Sequence, residues 1–141
     1  MKTSDPQIRG KIFFRFDPID HRFWLRWCQI ELDGIIKPWD LQTDFQTVLD
    51  TIAYAKNLVL KHMTEKGLTD KVEQVTWWIK GDDTYYCPKC MNALSHKMTA
   101  KAGPVAHDTL ALRCDQCQTE VYIPADAFAF ERSIESRTDT H

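Results

Sequence analysis

The chain has 141 residues, of which 43% are hydrophobic, 11% aromatic and 27% charged, a composition that supports a packed core and excludes wholesale disorder. Eighteen Lys plus Arg against twenty Asp plus Glu leave a formal charge of −2, which excludes a polybasic arm and a bulk electrostatic grip on nucleic acid or an anionic membrane. No apolar run approaches the ~20 residues of a membrane helix. No apolar segment follows Met1-Lys2-Thr3-Ser4-Asp5-Pro6 either, so the expectation is a soluble cytoplasmic protein.

From Lys11 to Phe16 the chain alternates, with Ile12, Phe14 and Phe16 on one parity, which predicts a half-buried strand. Asp17-Pro18-Ile19-Asp20-His21 has turn chemistry and reverses the chain. The next strand, about 22–32, changes phase: Phe23, Leu25 and Trp27 share one parity, and Cys28, Ile30 and Leu32 the other. One extra residue near Trp27 brings both sets to one face, which predicts a bulge there. Asp33-Gly34 predicts a hairpin turn, and a short return strand over 35–37 is expected to stop at Pro38.

A long helix is expected over about 43–66. Thr43 and Gln46 have capping-box spacing, Asp44 suits the positive end of the helix dipole, and Gly67 closes the far end. Phe45, Val48, Leu49, Ile52, Val59 and Met63 form its apolar stripe. Alternation returns over 71–80, where Val75, Trp77 and Ile79 share a face. A small antiparallel sheet with the helix packed across it buries that stripe, so residues 1–80 read as an α+β domain. Gly81-Asp82-Asp83 is a polar junction. Residues 124–141 read as a short helix, started by Pro124 and Asp126 and docked by Phe130 and Ile134, with a frayed tail.

The cysteines carry the chemistry. Cys87-Pro88-Lys89-Cys90 is followed by twenty-three residues and then Cys114-Asp115-Gln116-Cys117, while Cys28 stands alone mid-strand as an inert buried thiol. An odd count without a signal peptide argues for a metal site in a reducing compartment rather than a disulfide framework. Two residues between thiolates let one turn aim both sulfurs at a point, and two such turns complete a tetrahedral site that suits zinc. Iron takes the same four ligands. A redox dithiol needs one such pair opening a helix, whereas here there are two and a hairpin follows. Residues 93–98 and 109–113 read as that hairpin, and 118–123 as a further strand.

This pattern, over residues 84–123, resembles the zinc-ribbon fold group, in which two Cys-x-x-Cys knuckles hold one zinc ion beneath a β-hairpin. Cys-Pro-x-Cys is a common first knuckle in that group. The resemblance implies that Cys87, Cys90, Cys114 and Cys117 are the ligands of one structural zinc ion. Many ribbons place Gly directly after a knuckle's second cysteine; here Met91 and Gln118 occupy those positions. Four cysteines close the coordination shell, which points to a structural rather than a catalytic metal. His96 and His107 read as exposed hairpin residues.

Other chemistry is sparse. Asp17, Asp20 and His21 form a candidate cation site for a metal-dependent enzyme, although turns favour Asp for backbone bonding alone. No Gly-rich phosphate loop, Gly-x-Ser-x-Gly or His-Glu-x-x-His motif is present. The aromatic residues offer a candidate binding surface of Arg15, Arg22, Trp24, Arg26, Trp77 and Trp78. Adjacent Trp77 and Trp78 must point to opposite faces of their strand, so one of them is expected to be exposed or packed in a seam. Residues 81–123 carry four basic and five acidic groups, and a tetrathiolate adds about −2 more, which suits a protein partner better than phosphate. The expectation is therefore a noncatalytic binding module or accessory subunit acting through a protein partner, as a component or modulator of a nucleic-acid-processing machine. Direct single-strand binding through the Arg and Trp surface is the alternative, and a metal-dependent enzyme the third reading.

Overall fold

The computed structural model describes residues 8–99 and 110–123. They form β1 (Ile8–Asp17), β2 (Arg22–Leu32), β3 (Ile35–Phe45), α1 (Val48–Glu65), a 3-10 helix (Thr69–Gln74), β4 (Thr76–Gly81), β5 (Thr84–Tyr86), β6 (Ser95–Thr99), β7 (Leu110–Arg113) and β8 (Glu120–Ile123). The class is α+β. The chain divides into two compact units, with the boundary after Thr84. His107 and the helix expected over 124–141 lie outside the described residues, as does the side chain of His96. Among the described residues no helix is long and apolar enough to cross a membrane.

The larger sheet has the order β3-β2-β1-β4-β5 and is mixed, not antiparallel throughout as expected. β1, β2 and β3 are antiparallel neighbours, but β4 runs parallel to β1. The cause is topological: β3 points along β1, α1 carries the chain back, and β4 then starts from the same end as β1. β1 is central and supplies Ile8, Ile12, Phe13 and Phe14 to the core.

The expected bulge is present. Phe13 pairs with Trp27 and Phe14 with Leu25, which leaves Arg26 as the extra residue of β2. Phe23 and Leu25 therefore share a face with Cys28, Ile30 and Leu32, while Trp27 turns to the opposite face beside Phe13. α1 covers the first of these faces, where the Cys28 thiol lies 3.4 Å from the Ala55 carbonyl oxygen.

β3 does not end at Lys37; it runs through Pro38 to Phe45. Asp33 and Gly34 both have positive φ (52° and 85°), giving a two-residue turn flanked by the Leu32–Ile35 pair. Counting from that hydrogen-bonded pair, Ile36, Pro38 and Asp40 turn their backbone groups away from β2. Pro38 lacks an amide only on the side where β3 has no neighbour among the described residues, so it does not break the ladder.

The helix starts at Val48, later than its expected start near Thr43. Thr43 and Phe45 are strand residues opposite Leu25 and Phe23, and the cap is Thr47, whose hydroxyl accepts the Asp50 amide at 3.0 Å. Pairing with β2 outweighs the capping-box pattern. The later start also moves the apolar stripe: Thr51, Ile52, Ala55, Val59 and Met63 are buried, but Leu49 is 54% exposed. Thr51 buries its hydroxyl by donating to the Thr47 carbonyl at 2.7 Å. At the far end Gly67 (φ 75°) supports a Schellman closure, with Leu68 N–H on Met63 O and Gly67 N–H on Thr64 O.

Thr69–Gln74 is a 3-10 helix rather than the first half of a strand, and β4 begins at Thr76. Trp77 and Trp78 do take opposite faces, and both are buried, at 9% and 6% exposure, so of the two expectations the packed position fits and the exposed one does not. Trp77 lies over Gly10, where an added Cβ would sit 2.6 Å from the indole. Phe14 likewise occupies the space over Gly81, at 2.2 Å from such a Cβ. These paired glycines make room for rings at the β1–β4 seam. On the other face, the Arg9 guanidinium and Lys11 ammonium each lie 5.8 Å from the Trp78 ring.

In the C-terminal unit β7 lies between β6 and β8, antiparallel to both. Its described apolar interior is small, made of Leu94, Leu112, Val121 and Ile123 around Cys87 and Cys114.

Candidate metal centre

Two turns with the same hydrogen bonding bring the cysteines together. In the first, Met91 N–H bonds to Cys87 O at 2.8 Å and Cys87 N–H to Asn92 O at 2.8 Å. In the second, Gln118 N–H bonds to Cys114 O at 2.9 Å and Cys114 N–H to Thr119 O at 2.9 Å. Each turn closes on a residue in the left-handed region, Met91 (φ 64°) and Gln118 (φ 63°). These are the positions where the resemblance placed Gly, and the conformation is the one Gly adopts without steric cost. Gln118 is tied down by its side chain, which accepts from the Arg113 guanidinium and donates to Asp115 O.

The four sulfurs lie within 4.8 Å of one another, a group that could hold a metal ion. Cys87 and Cys117 sulfurs are 3.5 Å apart, Cys90 and Cys114 3.4 Å, and Cys90 and Cys117 3.8 Å. A tetrahedron with metal–sulfur bonds of about 2.3 Å has edges of about 3.8 Å, so the group matches a tetrathiolate shell with little adjustment. The separations are far longer than a disulfide bond, and all four thiols are free.

The thiols are not equivalent. Cys87 and Cys114 are buried, Cys90 is half-buried and Cys117 is exposed. Burial pushes the Cys87 thiol up to about 11. The hydroxyl and then the amide of Thr119 bring Cys117 down to about 6, and the Asn92 amide lowers Cys90. Thr119 Oγ1 lies 3.1 Å from Cys117 Sγ, and Asn92 Nδ2 donates to Cys90 Sγ at 3.3 Å. The thiolate form is thus favoured at the outer sulfurs Cys90 and Cys117 and disfavoured by burial at Cys87. Asn92 and Thr119 were not anticipated from the sequence. The readable signal is a polar donor two residues after each knuckle's second cysteine.

The other candidate residues do not assemble one open surface. Trp77 faces α1, with Lys56 Nζ 5.4 Å from its ring, and is separated from the rest by the sheet. Arg15 lies opposite Trp24 and forms an ion pair with Asp82 at 3.6 Å; Arg22 binds Asp44 at 2.8 Å. Arg26 occupies the bulge and is partly buried. In the β1–β2 turn Asp17 accepts the Ile19 amide at 2.8 Å and Asp20 the Arg22 amide at 3.1 Å, while His21 packs on Phe16. Both carboxylates thus have turn-building roles. Comparison with protein-family models, curated proteins and solved structures finds no match to this chain.

Proposed function

We propose that the chain is a noncatalytic accessory or regulatory module whose Cys87, Cys90, Cys114 and Cys117 hold one structural Zn²⁺ ion in a zinc-ribbon unit, and that it acts through a protein partner. The observation that carries this reading is the closed four-sulfur group, which leaves no position for a substrate or a reactive water at the metal. Zinc is preferred because two Cys-x-x-Cys turns at tetrahedral spacing suit a metal with no redox demand. A protein partner is preferred over direct single-strand binding because Trp77 and Trp78 are buried and Arg15 and Arg22 are already paired with carboxylates. Stacking on bases needs open rings, and a phosphate track needs uncommitted cations. Such modules serve as components or modulators of nucleic-acid-processing machines, and that is the setting proposed here.

The experiment is capture of partners from native lysate with the metal-loaded protein, with and without nuclease, after metal analysis of the purified chain. One zinc per chain and a partner retained at fixed stoichiometry after nuclease are expected. Loss of all captured material with nuclease, followed by salt-sensitive binding of purified oligonucleotide, would replace this reading with the nucleic-acid one. Iron in place of zinc would overturn the metal assignment alone.

A further inference from the structure

An open groove of about 500 Å³ runs along the outer side of α1, lined by Phe45, Asp50, Tyr54, Asn57, Leu58 and Lys61. Asp50, Tyr54, Asn57 and Lys61 follow the i, i+4, i+7, i+11 spacing of one helix stripe. That stripe lies away from the buried one of Ile52, Ala55, Val59 and Met63. Phe45 and Tyr54 meet edge to face at 5.2 Å and make the groove's aromatic wall. Asp50, Ala53, Asn57 and Lys61 are exposed, and Tyr54 and Leu58 half-buried.

The order of charges along this stripe is self-complementary. Asp50 stands at one end and Lys61 at the other, about 16 Å apart along the helix axis. A two-fold axis running beside α1, perpendicular to it at the level between residues 55 and 56, places Asp50 against the partner's Lys61, and Lys61 against the partner's Asp50. The same axis sets Tyr54 against the partner's Asn57, and Asn57 against the partner's Tyr54. A cyclic two-fold contact requires this property, namely that one patch complements itself when reversed.

We propose that the outer stripe of α1 is a docking surface for a second copy of this chain, with the two helices antiparallel about that axis. The surface lies in the N-terminal unit and uses no metal ligand, so it stands or falls separately from the proposed function.

Sedimentation equilibrium over a broad concentration series, on the metal-loaded full chain, tests this. The expected result is a monomer–dimer equilibrium that weakens with salt. Asp50→Lys and Lys61→Asp each replace two ion pairs by two like-charge contacts and should weaken association about tenfold or more. The double variant Asp50→Lys/Lys61→Asp restores it. Mixing the two single variants should yield a heterodimer, because one chain then offers two cations and the other two carboxylates. Circular dichroism verifies that α1 is intact in each variant. A wild-type chain that stays monomeric throughout overturns the proposal, whether or not another protein binds the groove. So does a dimer indifferent to the single reversals, or a mixture of single variants that does not associate.

Discussion

The two units of this chain differ in what their described residues offer for stability. The N-terminal unit buries Ile12, Phe14, Leu25, Ile30, Ile52 and Val59 at the junction of a long sheet and a helix, and Phe13 on the sheet's other face. The C-terminal unit has Leu94, Leu112, Val121 and Ile123 as its described apolar interior, plus four sulfurs gathered at one point. Hydrophobic burial stabilises roughly in proportion to area, and the described residues of the C-terminal unit bury far fewer large apolar side chains than those of the N-terminal one. A metal ion held by the four sulfurs would supply free energy at one position. With a metal bound, one chain would place its stability in distributed packing at one end and in a few bonds at the other, with different sensitivities to mutation and chelation.

The largest expected effect breaks this comparison at the metal. Structural zinc contributes about 10–16 kcal/mol to folding of small sites of this kind. A strong chelator, or Cys114→Ser, should therefore unfold the C-terminal unit while leaving the N-terminal one intact. In a two-dimensional NMR spectrum the amides of β6, β7 and β8 should collapse to random-coil positions, with those of β1 to β4 unmoved. Retention of native β7 and β8 signals after verified metal removal would show that the metal is not the C-terminal unit's main support.

The converse break lies in the sheet. Phe14 is fully buried and fills the space over Gly81, so Phe14→Ala should cost about 3–5 kcal/mol in denaturant unfolding of the N-terminal unit. Metal affinity of the same variant should be unchanged. If zinc binding weakened in parallel, the two units would be energetically coupled rather than separately stabilised.

A finer test concerns the sulfur environment. Thr119→Val keeps the shape of the side chain but removes the hydroxyl that lies 3.1 Å from Cys117 Sγ. Loss of a hydrogen bond to a metal ligand commonly costs about 10–100-fold in affinity. Competition with a chromophoric chelator should show a loss in that range, and Thr119→Ser should recover most of it. An unchanged affinity would mean that the backbone amide of Thr119 alone sustains the Cys117 thiolate.

How much of this was readable beforehand depended on whether a signal was local. The two cysteine pairs, the Asp33-Gly34 turn and the β2 bulge were legible because each rests on residues a few positions apart. The parallel placement of β4, the passage of β3 through Pro38 and the delayed start of α1 were not. They depend on which strand lies alongside, information carried by Gly10 beneath Trp77 and by Phe23 opposite Phe45, far apart in the chain. Trp77 and Trp78 illustrate the same limit: their alternation was certain, but burial on both faces required knowledge of what lies above each face.

The smallest expected effect concerns the two knuckle turns. Met91 and Gln118 share a left-handed backbone, and among the described residues Gln118 has side-chain bonds that hold it there, to Arg113 and to the Asp115 carbonyl, whereas the thioether of Met91 has none. For an L-residue this conformation costs about 1–2 kcal/mol, a cost that Gly avoids at the expense of greater freedom in the unfolded chain. Met91→Gly should thus stabilise the metal-loaded C-terminal unit by about 0.5–1 kcal/mol, the strain relieved less the added entropy. Gln118→Gly should be neutral or destabilising, because the same relief is offset by the lost anchors. The discriminating measurement is the pair of chelator-induced unfolding midpoints, compared with wild type. Equal shifts in both variants would mean that the anchors of Gln118 contribute nothing, and that the turns are equivalent in energy as well as in geometry.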